Sequence, residues 1–304
     1  MKGKLLSGGM IAGMIVAWSC YYAASKVLVD AADSAFLAGF LLRASALVFL
    51  TIQLSAGGKM REVLHPGKVV RVLLCIGVLG FLLDTFANLG YIHGDLGTGT
   101  ALLKTDVLMA NLATVVIYKK KLYTSDWIGT LVMLAGVLLV LGVRFDALAL
   151  NWYDLFFIAS ALCVTANAFV IKAAQDKLHV DTDVIAYYNN LVVLILFFAS
   201  SLATGALPKL SEIGTKNLWW VAILGGLAQT LIYFFYYRNL KTHEVWTVKL
   251  YLLLMPVLSC FIGVSLLGEE MSAGKAAGIA VVLAGAAVIL LRERLNKTEV
   301  RDAD

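Results

Sequence analysis

Five ionisable residues, Arg43, Asp84, Lys104, Asp106 and Lys249, interrupt long apolar runs of the sequence. At the centre of a hydrocarbon layer each costs about 2.5–3.5 kcal/mol, so each needs a partner or a task. Together they carry three positive charges and two negative ones, and a pair of ammonium groups suits a carboxylate or phosphate. Thr100, Lys104, Asn111, Thr114 and Tyr118 recur at steps of three, four and seven residues and form one polar stripe of a helix. Asp106 stands about 200° around that helix from Lys104, so the two do not readily pair. A second stripe, Gln229, Tyr233, Tyr236 and Tyr237, offers an amide, hydroxyls and ring faces. Each feature also has a plain structural account. The lysines pair with Asp84 and Asp106, Lys249 snorkels to the membrane surface, and Tyr237 belongs to an interfacial aromatic belt.

Nothing in the sequence points to catalysis. His65, His93, His179 and His243 fall near the ends of apolar runs, and there is no HExxH, no carboxylate pair on one turn and no serine elbow. Cys20, Cys75, Cys163 and Cys260 sit singly inside apolar runs without CxxC spacing, and read as buried small hydrophobes. No catalytic residue, cofactor or metal site is expected.

The elements that must position these residues are membrane helices. Of 304 residues, 61% are hydrophobic and only 15% charged, against about a quarter charged in soluble domains. Ten apolar blocks reach the length of a span: 5–27, 34–56, 69–92, 96–118, 125–143, 153–174, 183–204, 216–238, 244–267 and 273–292. Lys2 and Lys4 precede the first block, but Trp18, Tyr21 and Tyr22 stand where a cleavage site belongs, so it reads as a retained helix. With the N-terminus inside, 17 of the 25 Lys and Arg fall on the inner side, 5 on the outer side and 3 within helices. That bias predicts ten transmembrane helices with both termini cytoplasmic. The net charge of +5 belongs to these loops and does not imply nucleic acid.

The halves resemble each other. Lys121–Leu141 aligns with Glu270–Leu290 at an offset of 149, bringing Gly129 onto Gly278 and Leu134-Ala135-Gly136 onto Leu283-Ala284-Gly285. Five helices per half is an odd number, so the second copy enters the membrane in the opposite sense. Residues 1–146 and 147–295 are the expected repeats, with a charged tail over 296–304. Such inverted repeats place a transporter's substrate site near mid-membrane, between the halves. At the same offset Lys249 meets Thr100, one turn from Lys104, so the two lysines converge across the pseudo-two-fold axis. Asp84 meets Tyr233 and Asn88 meets Tyr237, so both halves turn polar together. Matching Lys26 to Lys172, a shift of 146, sets Tyr21 opposite Asn167, with Trp18 a turn away. Pro256 lacks a backbone donor and is expected to kink helix 9.

LLKTDVLMANLATVVIYKKKLYTSDWIGTLVMLAGV and YYRNLKTHEVWTVKLYLLLMPVLSCFIGVSLLGEEMSAGKAAGIAVVLAGA resemble the two EamA-type repeats of the drug/metabolite transporter superfamily. The likeness spans nearly the whole chain and is densest at helices 3–5 and 8–10. It implies a five-plus-five inverted-repeat fold and a central cavity lined by helices 1, 3, 4, 6, 8 and 9. The superfamily carries amino acids, amines, sugars, nucleotide sugars and phosphorylated metabolites. Its nucleotide-sugar and triose-phosphate members use intramembrane lysines, and LLKTD is similar to their segment. Arg43 resembles an arginine common in the family's second helix, which implies a structural role beside Asp84. The acid usual at the end of helix 4 is replaced by Lys119-Lys120-Lys121, while Glu269-Glu270 keeps it in the second half.

The expected function is secondary-active transport, by alternating access, of a small anionic or zwitterionic metabolite across the cell (inner) membrane. Lys104, Lys249, Thr100, Asn111, Asp84, Asn88, Gln229, Tyr233, Trp18, Tyr21 and Asn167 are the substrate-site candidates. Asp84 and Asp106 are the candidates for proton coupling, which metabolite exchange does not need. The rival is an exporter of amino acids or amphiphilic amines with structural lysines, and more remotely a membrane sensor or channel.

Overall fold

The computed structural model describes residues 2–93, 102–119, 123–140, 152–255, 257–258 and 271–302. Its longer helices are α1 (Lys2–Ala32), α2 (Ala35–Ala56), α3 (Val70–His93), α4 (Asp106–Tyr118), α5 (Thr124–Val140), α6 (Asp154–Lys177), α7 (Thr182–Ala203), α8 (Trp219–Thr242), α9 (Val245–Leu252) and α10 (Ala273–Asp302). Short helices Met60–Leu64 and Leu210–Thr215 follow α2 and α7, and there is no strand among the described residues. Helices α1, α2, α3, α6, α7 and α8 are long and apolar enough to cross a membrane. Helices α4 and α5 and the Ala276–Val288 stretch of α10 are shorter apolar helices. A backbone that satisfies its own hydrogen bonds is what a hydrocarbon solvent demands.

The outward faces are greasy: Val48, Ile52, Val116, Leu131 and Leu162 are all exposed. Cys20 and Cys75 are exposed among them and Cys163 is half-buried, which corrects the expectation of buried cysteines. In lipid an apolar position need not point inward, so hydrophobicity stops reporting burial. Cys260 lies outside the described residues.

The two halves correspond helix by helix. Helices α2 and α7 have 22 residues each at an offset of 147, and α3 and α8 have 24 each at 149. Ser34 caps α2 by accepting from Leu37 N–H, and Asp181 caps α7 by accepting from Asp183 N–H. Asp33 and His179, 146 apart, both take a left-handed conformation just before these caps. The packing follows the same exchange. Helix α2 lies on α7, α4 on α9 and α5 on α10, while α1 on α8 is mirrored by α6 on α3.

The glycines of the sequence repeat explain the α5–α10 pair. A Cβ at Gly136 would stand 2.6 Å from Val282 N, and one at Gly285 would stand 2.9 Å from both Met133 N and Gly129 O. Only glycine permits that approach of backbones, a familiar packing device in lipid. Helices α1 and α6 are tied down equivalently. Lys26 Nζ donates to Tyr91 O near the end of α3 (3.3 Å), and Lys172 Nζ donates to Leu240 O near the end of α8 (2.8 Å). Each lysine also pairs with the acid four residues on, Asp30 or Asp176. A cation at a helix C-terminus complements the exposed carbonyl charge.

A surface network closes one end of the bundle. Lys59, after α2, bonds Asp181 (3.0 Å) and Asp183 (2.7 Å) at the start of α7, and Arg238 of α8 reaches Asp183 (3.2 Å). The hydrogen bond to Asp183 holds the Lys59 ammonium above the usual lysine range, against the opposing effect of burial. Burial pushes the Asp181 carboxyl up, but bonds from Lys59 and from Asp183 N–H outweigh it and leave the group below its ordinary value.

Candidate functional site

Helix α4 begins at a break. Lys104 and Thr105 form a tight turn in which Thr105 N donates to Leu102 O (3.1 Å) and Val107 N to Lys104 O (3.2 Å). Thr105 Oγ1 also donates to Leu102 O (2.6 Å), satisfying a carbonyl that a continuous helix would have used. Helix α9 breaks at Leu253 and Leu254, the residues 149 after Lys104 and Thr105, with Leu253 N donating to Leu250 O and Leu254 N to Tyr251 O. Pro256, expected to kink this helix, lies outside the described residues. Paired discontinuities of this sort expose helix ends to a site between repeats.

Two adjoining cavities of about 30 and 20 Å³ lie there, sharing Trp18, Leu83 and Val164. A small-molecule pocket has about 300–1,000 Å³, so these hold little more than water. The first is walled by Arg43, Asn167, Asn189, Gln229, Tyr233 and Tyr237. The second is walled by Tyr22, Asp84, Lys104, Asp106, Ser160 and Lys249. Arg43 of α2 and Asn189 of α7 thus join the helices that the resemblance implied.

The first cluster is charge-balanced, although Asn167 Oδ1 and Asn189 Oδ1 on its cavity wall are buried without a partner. Asp84 Oδ2 accepts from Arg43 Nε (3.1 Å), from Arg43 Nη2 and from Tyr21 OH (3.0 Å), and Arg43 Nη1 donates to Tyr233 OH. The guanidinium carbon lies 5.8 Å from the ring centroids of both Tyr21 and Tyr233. Asn190, 147 residues after Arg43, donates to Arg43 O (2.9 Å).

The second cluster is not balanced. Lys249 Nζ donates to Asp106 Oδ2 (2.8 Å) and stands 5.7 Å from the Tyr236 ring centroid. Asp106 Oδ1 is buried without a partner, as is Trp18 Nε1. Lys104 is 5% exposed, and its polar contact is Met255 Sδ at 3.9 Å, a weak acceptor. Among the described residues no carboxylate pairs with it. Of the five charged residues that line the two cavities, four form two ion pairs and Lys104 is left over. Asp106 opens α4, and Lys104 stands just before it, so the positive end of a helix adds to the lysine's field.

The remaining candidates separate. Gln229, Tyr233, Trp18 and Asn167 line the first cavity. Asn111 instead turns to α5 and donates to Thr130 Oγ1 (3.2 Å), so the polar stripe of α4 does not share one face of the cavity. The break at Lys104 changes its phase relative to Asn111. Asn88 accepts from Ser25 Oγ (2.9 Å) and donates to Ala35 O (3.2 Å), tying α1 and α2 to α3. Tyr21 is committed to Asp84. Thr100, Lys120, Lys121, Glu269 and Glu270 lie outside the described residues. Lys249 is 1% exposed rather than snorkelling, because Asp106 receives it inside the bundle. Tyr237 is not in an interfacial belt: it is buried, and its hydroxyl accepts from Asn189 Nδ2. Sequence reasoning missed Asn189, Tyr22 and Ser160. The seven-residue step from Ser160 to Asn167 was the readable signal for one of them.

A bundle of apolar helices built from two repeats, with broken helices and buried charge at their junction, is an arrangement suited to a membrane transporter. The family model described as the EamA-like transporter family matches residues 7–142 and 151–291, and the chain belongs to that family. It is a multi-pass membrane protein of the drug/metabolite transporter kind, whose family members are transporters and not enzymes. A solved structure described as "Crystal structure of protein" is similar in fold, with a TM-score of 0.73 at 19% identity, over 95% of this chain and 98% of the other. No curated protein matches the chain in sequence.

Proposed function

We propose that the protein is a secondary-active, alternating-access transporter of a small anionic metabolite across the cell (inner) membrane. The observation that carries this is Lys104, a buried cation on the cavity wall with no carboxylate partner among the described residues. An ammonium held in low dielectric without a counter-ion is costly, and an anionic ligand is what removes the cost. Ten spans, an inverted second repeat and cytoplasmic termini complete this reading, supported by five blocks per half and the basic inner loops. The water-sized cavities require opening before cargo enters, and the breaks of α4 and α9 are suitable hinges. Asp84, held by Arg43, and Asp106, with one oxygen free of hydrogen bonds, are the candidates for coupling.

The test is thermal unfolding of the purified protein against metabolites grouped by charge, with a Lys104→Gln, Lys249→Gln variant alongside. A ligand that binds the folded state raises the midpoint by mass action. Stabilisation by carboxylated or phosphorylated compounds that disappears in the variant supports the reading. Stabilisation by amines or aromatic amphiphiles, equal in both proteins, replaces it with the amine-exporter reading.

A further inference from the structure

Resting on Lys104 as a substrate contact, we propose that Asp106 sets the charge of the cargo. The site takes an anion with one negative charge and a hydroxyl donor, a hydroxy acid, and rejects dianions and compounds bearing an ammonium group.

Charge counting within the bundle leads to this. Arg43 and Asp84 neutralise each other, as do Lys249 and Asp106, so Lys104 leaves the lining of the two cavities with one net positive charge. One carboxylate brings it to neutrality. A dianion overshoots and leaves an uncompensated negative charge next to Asp106, where low dielectric makes that expensive. A substrate ammonium fares worse. Asp84 Oδ2 already accepts three bonds, Asp106 Oδ2 holds Lys249, and the newcomer would be a fourth cation beside Arg43, Lys104 and Lys249. Uncharged donors are different. Asp106 Oδ1 is buried without a hydrogen bond, and a hydroxyl supplies the missing proton without adding charge. Trp18 Nε1, equally unpartnered, supplies a donor for a further cargo oxygen. With Asp106 absent the site carries two excess positive charges, and the same argument then favours a dianion.

The experiment measures unfolding midpoints of the full-length protein in detergent at neutral pH. The probes are lactate, propionate, alanine and malonate, with phenyllactate, phenylpropionate, phenylalanine and phenylmalonate as a larger set. Lactate or phenyllactate is expected to stabilise the protein with an apparent affinity at least about tenfold above the matched malonate and amino acid. Propionates fall between, for want of the hydroxyl. Asp106→Asn inverts the order in favour of the malonates, Lys104→Gln loses every anion response, and Lys104→Arg keeps the hydroxy acid. If malonates match hydroxy acids in the native protein while Lys104→Gln loses both, the charge limit fails and the anion site survives. If the amino acids stabilise best, or no hydroxy acid has an effect, the proposal falls; responses confined to amines or amino acids and unchanged in Lys104→Gln remove the anion reading too. Should Asp106→Asn not fold, the ranking in the native protein decides by itself.

Discussion

Arg43 and Lys104 are buried cations in one helical bundle, facing adjoining cavities, yet their surroundings differ in kind. Arg43 has a carboxylate, two tyrosine rings and a tyrosine hydroxyl as acceptor, all from helices that also grip one another. Lys104 has a thioether, at a helix break, beside a carboxylate already engaged by Lys249. A planar fork of fixed donors can be enclosed by matched acceptors, and that arrangement stabilises a fold. A flexible ammonium left short of acceptors is poised to take them from a ligand. The contrast teaches that charge inside a membrane protein is not by itself a mark of function: satisfied charge can serve as scaffold, and unsatisfied charge marks the candidate site.

The strongest way to break this contrast is Arg43→Gln, which strands Asp84. It should cost about 3–5 kcal/mol, read as a large fall in folded yield and unfolding midpoint. Adding Asp84→Asn should restore at least half of the loss, since the double variant buries no lone charge. Lys249→Gln strands Asp106 in the same sense, but Lys104 shares its cavity and can take over. About 1–2 kcal/mol is expected, and a Lys104→Gln, Lys249→Gln double should lose more than the two singles together. A loss for Lys249→Gln as large as for Arg43→Gln would show the second cluster to be scaffold too. Lys104→Gln alone should leave the ligand-free protein unchanged or raise its stability by about 1 kcal/mol, because it removes an unpaired buried charge. A clear loss there would mean that Lys104 is structural.

The smallest effect belongs to the surface network. The Lys59 ammonium is raised, so its contribution is full below the unfolded lysine value and is lost as pH climbs through the folded one. The Asp181 carboxyl is lowered, so its contribution is present above the unfolded value and is lost as pH falls through the folded one. Lys59→Gln should therefore cost less than about 1 kcal/mol, after solvent screening, by an amount that stays flat from about pH 6 to 9. Midpoints measured across that range, with and without salt, check it.

Much of the architecture was legible beforehand. Each of the ten apolar blocks contains helix in the described residues, and the Gly129/Gly278 and Gly136/Gly285 matches are the positions where α5 and α10 touch. Lys26 and Lys172, matched only to align two helices, perform the same task at the ends of α3 and α8. The polar stripe of α4 was misread because helical periodicity assumes an unbroken helix, and the break at Lys104 turns Asn111 toward α5. Tyr237 was misplaced because a tyrosine near a helix end looks interfacial until its partner, Asn189, is brought from another helix.

The sequence alone determined that the chain is built of apolar helices suited to a membrane, that it repeats, and that three positive and two negative charges interrupt its apolar runs. Those follow from composition and spacing, because lipid admits few alternatives to apolar helices. Only the tertiary structure decided who pairs with whom. Arg43 lies 41 residues from Asp84, and Lys249 lies 143 from Asp106. Such pairs are chosen by how the helices of the two repeats dock, a long-range geometry that no local pattern encodes, and among the described residues that docking left Lys104 without a carboxylate.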